Sequence, residues 1–227
     1  MKKSEFAEEM DNKEQEIFQY TLDDAEQECE VHETSAYKTD ESLKNIEDYY
    51  ALPDDERVEL IDGQFYAMSS PTVNHQDWIF ELAKAFDQYI EKNGGLCRVY
   101  LAPCDVRLDK DDYTMVQPDL MICCRRDQVM FKRIEGAPDF VLEIVSPGSV
   151  YLDRHKKLQK YRDAGVREYW IVDPQKETVT VYHFEKNGEP VYYTFADKVP
   201  VGIYGGECQI DFAKLRKKLS YLDEKRR

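Results

Sequence analysis

Phe140-Val141-Leu142-Glu143-Ile144-Val145-Ser146 decides how this chain folds. The run is apolar on both faces apart from Glu143, the pattern of a central strand covered on each side. Ser146-Pro147-Gly148-Ser149 breaks it, and a helix is expected over about Val150 to Ala164. Gly165 suits the left-handed position after that helix, with Val166 as the apolar residue beyond it. Arg167–Val172 reads as another strand, ended by Asp173-Pro174. Upstream, Met115–Cys124 reads as one strand with Pro118 near its start.

The remaining elements extend outward from this centre. Leu43, Ile46, Tyr49 and Tyr50 have helical spacing, and Pro53-Asp54-Asp55 follows them. Asp62-Gly63 between two apolar runs is a two-residue hairpin signal. Asn74 can cap a helix starting at His75, with Asp77 in its first turn. Trp78, Leu82, Ala85, Phe86, Tyr89 and Ile90 share one face of that helix, which is expected to run about four turns to Asn93-Gly94-Gly95. Cys97–Leu101 and Asp105–Leu108 read as strands, and Asp109-Lys110-Asp111-Asp112 as a solvated turn. Val179–Phe184 and Val191–Phe195 form a meander around Asn187-Gly188, and a short basic helix starts near Phe212. This order predicts a mixed α/β domain around one sheet flanked by helices.

Composition bounds the function. The chain has 227 residues and a net charge of −15, which argues against nonspecific coating of nucleic acid. Residues 1–40 hold 13 acidic and 4 basic residues and read as an acidic, flexible extension. The domain is expected over 41–215, with a basic tail at 216–227. No apolar run approaches the roughly 18 to 20 residues of a membrane helix, and Met1–Glu9 lacks a secretory apolar centre. A soluble, cytoplasmic protein is expected. The six cysteines form no C-x-x-C pair and are expected as reduced, apolar thiols, with Cys123 and Cys124 on opposite faces of a strand.

The chemistry centres on Asp119 and Glu143. A carboxylate in a buried strand is costly unless paired or bound to metal. Two on neighbouring strands can share a hard divalent cation, with the carbonyl of Ile144 as a further oxygen ligand and water in the other positions. Such a metal acidifies bound water and stabilises charge on a phosphate oxygen. Asp153, Lys157 and Tyr161 lie on one helical stripe close after Glu143, so Lys157 can orient the attacking water or stabilise developing charge. Lys157 can also simply pair with Asp153 on a wet helix face. Glu59 either joins the metal site or ends a strand. Gln117 either touches a metal-bound water or phosphate or makes a strand-edge hydrogen bond. His75 reads as a capping or packing residue, with a catalytic base as the alternative, and Tyr161, Tyr169 and Trp170 read as core.

Pro118-Asp119 followed by Glu143-Ile144-Val145 resembles the PD-(D/E)XK nuclease signature, with Val145 at the position of the motif lysine. Glu59-Leu60-Ile61-Asp62-Gly63, Ser70-Pro71 with His75, Gln117-Pro118-Asp119-Leu120, and Glu168-Tyr169-Trp170-Ile171-Val172-Asp173-Pro174 extend the likeness over roughly residues 40–215. Together they resemble the large bacterial restriction endonuclease family of that superfamily. The resemblance implies a restriction-endonuclease-like mixed central sheet, a Mg²⁺-dependent site (Mn²⁺ as a substitute) and DNA as substrate. It also implies cleavage to a 5′ phosphate and a lysine relocated from the strand to the following helix, here Lys157. A homodimer would place two such sites across a duplex. The missing strand lysine and the acidic balance keep a second expectation open: a catalytically silent nuclease fold acting as a nucleic-acid-binding or regulatory module.

Overall fold

The computed structural model describes residues 42–53, 55–108 and 112–221. The acidic extension at 1–40, three of the four residues of the expected Asp109–Asp112 turn, and residues 222–227 lie outside them. In chain order the described elements are α1 (Ile46–Tyr50), β1 (Val58–Ile61), β2 (Gln64–Ala67), α2 (Val73–Asn93), β3 (Arg98–Leu101), β4 (Val106–Arg107), β5 (Met115–Val116), β6 (Leu120–Cys123), β7 (Ile134–Glu135) and β8 (Phe140–Ile144). A π-helical turn at Leu152–Lys157 then runs into α3 (Leu158–Ala164). They are followed by β9 (Glu168–Asp173), β10 (Thr178–His183), β11 (Pro190–Thr194), β12 (Lys198–Pro200), β13 (Gln209–Asp211) and α4 (Phe212–Leu219).

β8 is central, as its unbroken apolar pattern requires. The main sheet has the order β11-β10-β9-β8-β6-β3. Only β8 and β9 run parallel in it, with Leu142 opposite Trp170 and Glu143 opposite Ile171. A parallel pair needs a crossover, which the helical segment between them supplies. Where one sheet is expected, there are three: a second of order β2-β1-β5-β4-β7, and the pair β12-β13.

Alternation splits the core into two layers. Leu120, Ile122, Phe140, Leu142 and Ile144 face α2 and α4. Met121, Cys123, Val141 and Val145 face α3 and the second sheet. Phe86 of α2 lies 5.0 Å from Phe140 and 6.0 Å from Trp170, ring centre to ring centre. Such aromatic contacts are worth about 0.5–1.5 kcal/mol each beyond the area they bury. Phe212, Leu215 and Leu219 of α4 are buried in the same layer.

The expected single strand Met115–Cys124 is divided. Met115 and Val116 belong to the second sheet, Leu120–Cys123 to the main one, and the chain passes between them at Gln117-Pro118-Asp119. Pro118 cannot donate to a ladder, so pairing stops there. The flanking amides instead find the two buried glutamates: Gln117 N–H donates to Glu59 Oε1 at 2.8 Å, and Asp119 N–H to Glu143 Oε2 at 3.1 Å. The sheet junction is thereby the place where the acidic residues meet.

Other expectations are corrected locally. α2 begins at Val73 under a Thr72 cap, whose hydroxyl accepts from His75 N–H at 3.2 Å, so Asn74 is not the cap. It runs 21 residues, about six turns rather than four. Cys97 and Cys124 are not free thiols but form a disulfide. They occupy the next opposed position after the Arg98–Cys123 pair of β3 and β6. Cys104, Cys123 and Cys208 are free.

Asp62 (φ 50°) and Gly63 (φ 75°) make the expected hairpin turn. A Cβ on Gly63 would lie 2.8 Å from Leu43 Cδ2 and 3.3 Å from the Lys44 carbonyl. Gly63→Ala is therefore expected to lower stability by about 1–2 kcal/mol, from the left-handed backbone and the contact together. Urea unfolding checks this; an unchanged midpoint would contradict it.

Candidate active site

The site is built from the ends of β1, β6 and β8 and from the helix that follows β8. Lys157 Nζ lies 2.9 Å from Glu59 Oε2, 3.1 Å from Glu143 Oε1 and 3.4 Å from Asp153 Oδ1. All four side chains are buried. Tyr161, one turn further along, donates its hydroxyl to Glu143 Oε1 at 2.7 Å. The expected stripe of Asp153, Lys157 and Tyr161 thus faces Glu143, even though its first part is π-helical. Tyr169 O–H donates to the Asp153 carbonyl at 3.0 Å and ties the helix to β9.

Asp119 stands beside this buried group and is only partly buried, its side chain 17% exposed, so solvent reaches the site there. Its Oδ2 accepts from Ile144 N–H at 2.8 Å. His75 Nε2 lies 3.1 Å from the same Oδ2 and 3.0 Å from the Ile144 carbonyl. Both partners are acceptors, so Nε2 carries the proton, and the buried Nδ1 has no hydrogen-bond partner. His75 is therefore neither helix cap nor packing residue. It hydrogen-bonds the carboxylate and the carbonyl that the sequence pairs as metal ligands. The one sequence signal for it is its place after Ser70-Pro71.

Gln117 contributes its backbone to Glu59, but its side chain turns away. Its Nε2 donates to the Tyr49 hydroxyl oxygen and to Asp105 Oδ1, each at 2.9 Å. Tyr161 joins the site directly, beyond the core role its pattern implies. Lys156 and Lys160 contact the hairpin: Lys156 meets the Tyr66 hydroxyl and Lys160 reaches Asp62 at 2.7 Å. Val145 is buried, so its position in the strand offers no cation.

The charges are unbalanced. Three buried carboxylates surround one ammonium, and a fourth, Asp119, stands alongside. Burial pushes the Glu143 carboxyl well above its ordinary range; Lys157 opposes this, while Asp153, Asp119 and Glu59 add to it. Burial likewise raises Asp153 to about 6, against the pull of Lys157. Burial alone would lower Lys157, but Glu143, Glu59 and Asp153 hold it well above its usual value. Burial opposes charge on His75 too, and its contact with Asp119 outweighs that and raises it. An acidic, oxygen-rich cluster with too few cations fits a hard divalent ion. Among the described residues no three His, Cys, Asp or Glu side chains are arranged to hold a metal by themselves. The fitting set is two carboxylates, Asp119 and Glu143, with the Ile144 carbonyl, leaving positions for water as Mg²⁺ prefers.

Two stability effects follow from this imbalance. Lys157→Met leaves three buried carboxylates without their cation and is expected to cost about 3–5 kcal/mol in urea unfolding. Asp153→Asn acts oppositely. A carboxyl raised from 3.8 to about 6 keeps its proton in the fold after the unfolded chain has released it, so stability falls as pH rises through that window. The variant lacks that loss. It is expected to match the wild type near pH 4 and to exceed it by about 1–3 kcal/mol above pH 6. Equal pH profiles for the two proteins would contradict the assignment.

Comparison with known proteins places the chain in a family and a fold. The model of the Uma2 family, described as "Putative restriction endonuclease", matches residues 46–201. "Uncharacterized protein slr1290" of Synechocystis is 25% identical over 160 residues, covering 69% of this chain and 82% of its own. A crystal structure from Anabaena variabilis, a "putative nuclease belonging to DUF820", superposes with a TM-score of 0.64 at 21% identity. That alignment covers 77% of this chain and 98% of the other, and establishes a shared fold. The family match spans more than half of the chain and includes Glu59, His75, Asp119, Glu143, Asp153 and Lys157; the chain belongs to the Uma2 restriction endonuclease family.

Proposed function

We propose that this protein is a metal-dependent endonuclease that hydrolyses DNA phosphodiester bonds. The observation that carries the reading is the convergence of Glu59, Glu143 and Asp153 on Lys157 within 2.9–3.4 Å, beside the partly buried Asp119. Asp119, Glu143 and the Ile144 carbonyl would hold Mg²⁺, or Mn²⁺ in its place. The bound ion supplies Lewis acidity, lowering the pKa of a coordinated water and neutralising charge on the scissile phosphate. The residues divide the remaining work. Lys157 stays protonated among its carboxylates. It is therefore no proton acceptor; it orients the attacking water as a hydrogen-bond donor and stabilises charge developing on phosphate oxygens. Glu59 and Asp153 hold its ammonium in place, and Tyr161 fixes Glu143. His75 holds Asp119 and Ile144 in register with each other. Water attacks phosphorus, the bond to the 3′ oxygen breaks, and a 5′ phosphate remains. A homodimer would present two such sites to the two strands of a duplex.

A second reading has one observation in its favour: Val145, buried, occupies the strand position where the motif places lysine. On that reading the fold binds nucleic acid without turnover. One experiment separates the two. Supercoiled plasmid is incubated with wild type, Asp119→Asn and Glu143→Ala in Mg²⁺ and in Mn²⁺, with thermal unfolding followed in the same metals. Metal-dependent nicking by the wild type and a loss of at least about 100-fold in either variant are expected, as for removal of a group that stabilises charge in the transition state. A metal-induced rise in the wild-type unfolding temperature should also vanish in Asp119→Asn. Equal nicking by wild type and Glu143→Ala, or none with either metal, would overturn the endonuclease reading.

A further inference from the structure

Beyond the end of β6, Arg125-Arg126-Asp127-Gln128-Val129-Met130-Phe131-Lys132-Arg133 holds four basic residues against one acidic, in a chain of net charge −15. Arg126–Gln128 forms a 3₁₀ turn. Val129 bridges Ile134, and Met130 N–H donates to the Arg133 carbonyl at 3.0 Å. Phe131 and Lys132 are thereby the two apex residues of a tight turn. Phe131 is fully exposed, and Met130 beside it is exposed as well. Burying a phenylalanine side chain stabilises a fold by about 1.5–3 kcal/mol, so nothing in folding accounts for this placement.

The turn is held rigidly from below. Arg133 Nε donates to Glu135 Oε1 at 2.6 Å, and its guanidinium lies 6.0 Å from the Tyr50 ring centre. Arg125 Nη2 donates to the Ala137 carbonyl at 3.0 Å. Arg126 and Lys132 remain exposed at the rim. An aromatic face flanked by cations is the chemistry that receives a nucleobase between phosphates.

The second sheet fixes where this apex stands. Leu60, Met115, Arg107 and Glu135 lie opposite one another across β1, β5, β4 and β7. Three strand spacings, about 14 Å, therefore separate β7 from β1. β1, β4 and β7 run in the same direction, and the apex precedes β7, so it lies toward the Glu59 end of the sheet. A separation of roughly 14–20 Å corresponds to about four to six nucleotide steps at 3.4 Å each.

We propose that the Arg125–Arg133 turn is a nucleic-acid contact, with Phe131 stacked on a base and Arg126 and Lys132 on neighbouring phosphates. The choice of nucleic acid as the occupant rests on the endonuclease reading; the exposed aromatic and the basic rim do not.

The test uses the full chain in EDTA, so that binding is read without cleavage. Probes are a fluorescein-labelled single strand, the matching duplex, and versions of each carrying 2-aminopurine. Phe131→Ala is expected to weaken binding by about 5- to 100-fold, and Phe131→Trp to preserve it, with its indole emission quenched on binding. Lys132→Ala should reduce the salt slope of binding by about one. A loss confined to the single strand identifies an already unstacked base as the ligand. A loss on the duplex, with 2-aminopurine fluorescence rising for the wild type only, identifies a base opened from the helix. Wild-type affinity in Phe131→Ala and Lys132→Ala would overturn the proposal while leaving metal-dependent nicking, and the reading built on it, intact. So would a change of Phe131→Ala from dimer to monomer in sedimentation, which would make the apex a subunit contact. A wild type that binds neither probe also overturns it; the nuclease reading falls only if nicking is absent too.

Discussion

Everything at this site depends on Glu143 being tolerated in the middle of a buried sheet. Its two oxygens are engaged by different parts of the fold. Oε1 takes Lys157 and the Tyr161 hydroxyl from the crossover helix, and Oε2 takes the Asp119 amide from the adjoining strand. A carboxylate with none of these would be neutralised or expelled. Remove the helix and Glu143 loses its cation; remove the Pro118 break and it loses an amide that a regular ladder would have claimed. The residue that is most expensive to bury therefore joins the crossover helix, the central strand and the sheet junction at one point.

The break at Pro118 has a second consequence. It leaves the amides on both sides of the proline outside a regular ladder, and buried amides must find acceptors. Glu59 and Glu143 serve, one in each of the two larger sheets. The orientation of these glutamates is thus enforced by backbone satisfaction as well as by Lys157. In the proposed reaction this matters because a misplacement of about 1 Å at the reacting centre is costly.

The fold was legible where a single chemical preference dominates. Phe140–Ile144 had to be central because it is apolar on both faces, and Asp62-Gly63 had to turn because both residues accept positive φ. The division of Met115–Cys124 was not legible, although Pro118 was in view. A proline near a strand start is compatible with one continuous strand, and only the second sheet gives Met115 and Val116 somewhere else to pair. The Asp119, Glu143 and Lys157 grouping was legible because acid residues in apolar runs are costly, and the i, i+4 stripe placed the lysine. His75 and Tyr161 were not. Each lies on an amphipathic face where its apolar body explains its position, and its polar atom finds a partner only in three dimensions. The Cys97–Cys124 disulfide escaped for a similar reason: 27 residues separate the pair, and only the β3–β6 register brings them together.

The lysine's position on a helix rather than on the strand changes what it can do. A lysine at position 145 would lie on the same face of the strand as Glu143, two residues on, where Val145 packs among Val141, Tyr161 and Tyr169. From the helix, Lys157 instead descends onto Glu143 from above and meets Glu59 and Asp153 on the way. Those three carboxylates keep it cationic, which suits donation to an oxygen and rules out proton abstraction. They also leave the site with more negative charge than one lysine balances, in a chain of net charge −15. In the proposed reaction this charge would disfavour the scissile phosphate, and a bound divalent ion would offset it. The basic turn at Arg125–Arg133 answers the same repulsion from the other side. On the proposed reading it would hold the phosphate chain from the β7 edge of the second sheet, apart from the carboxylates that would hold a metal.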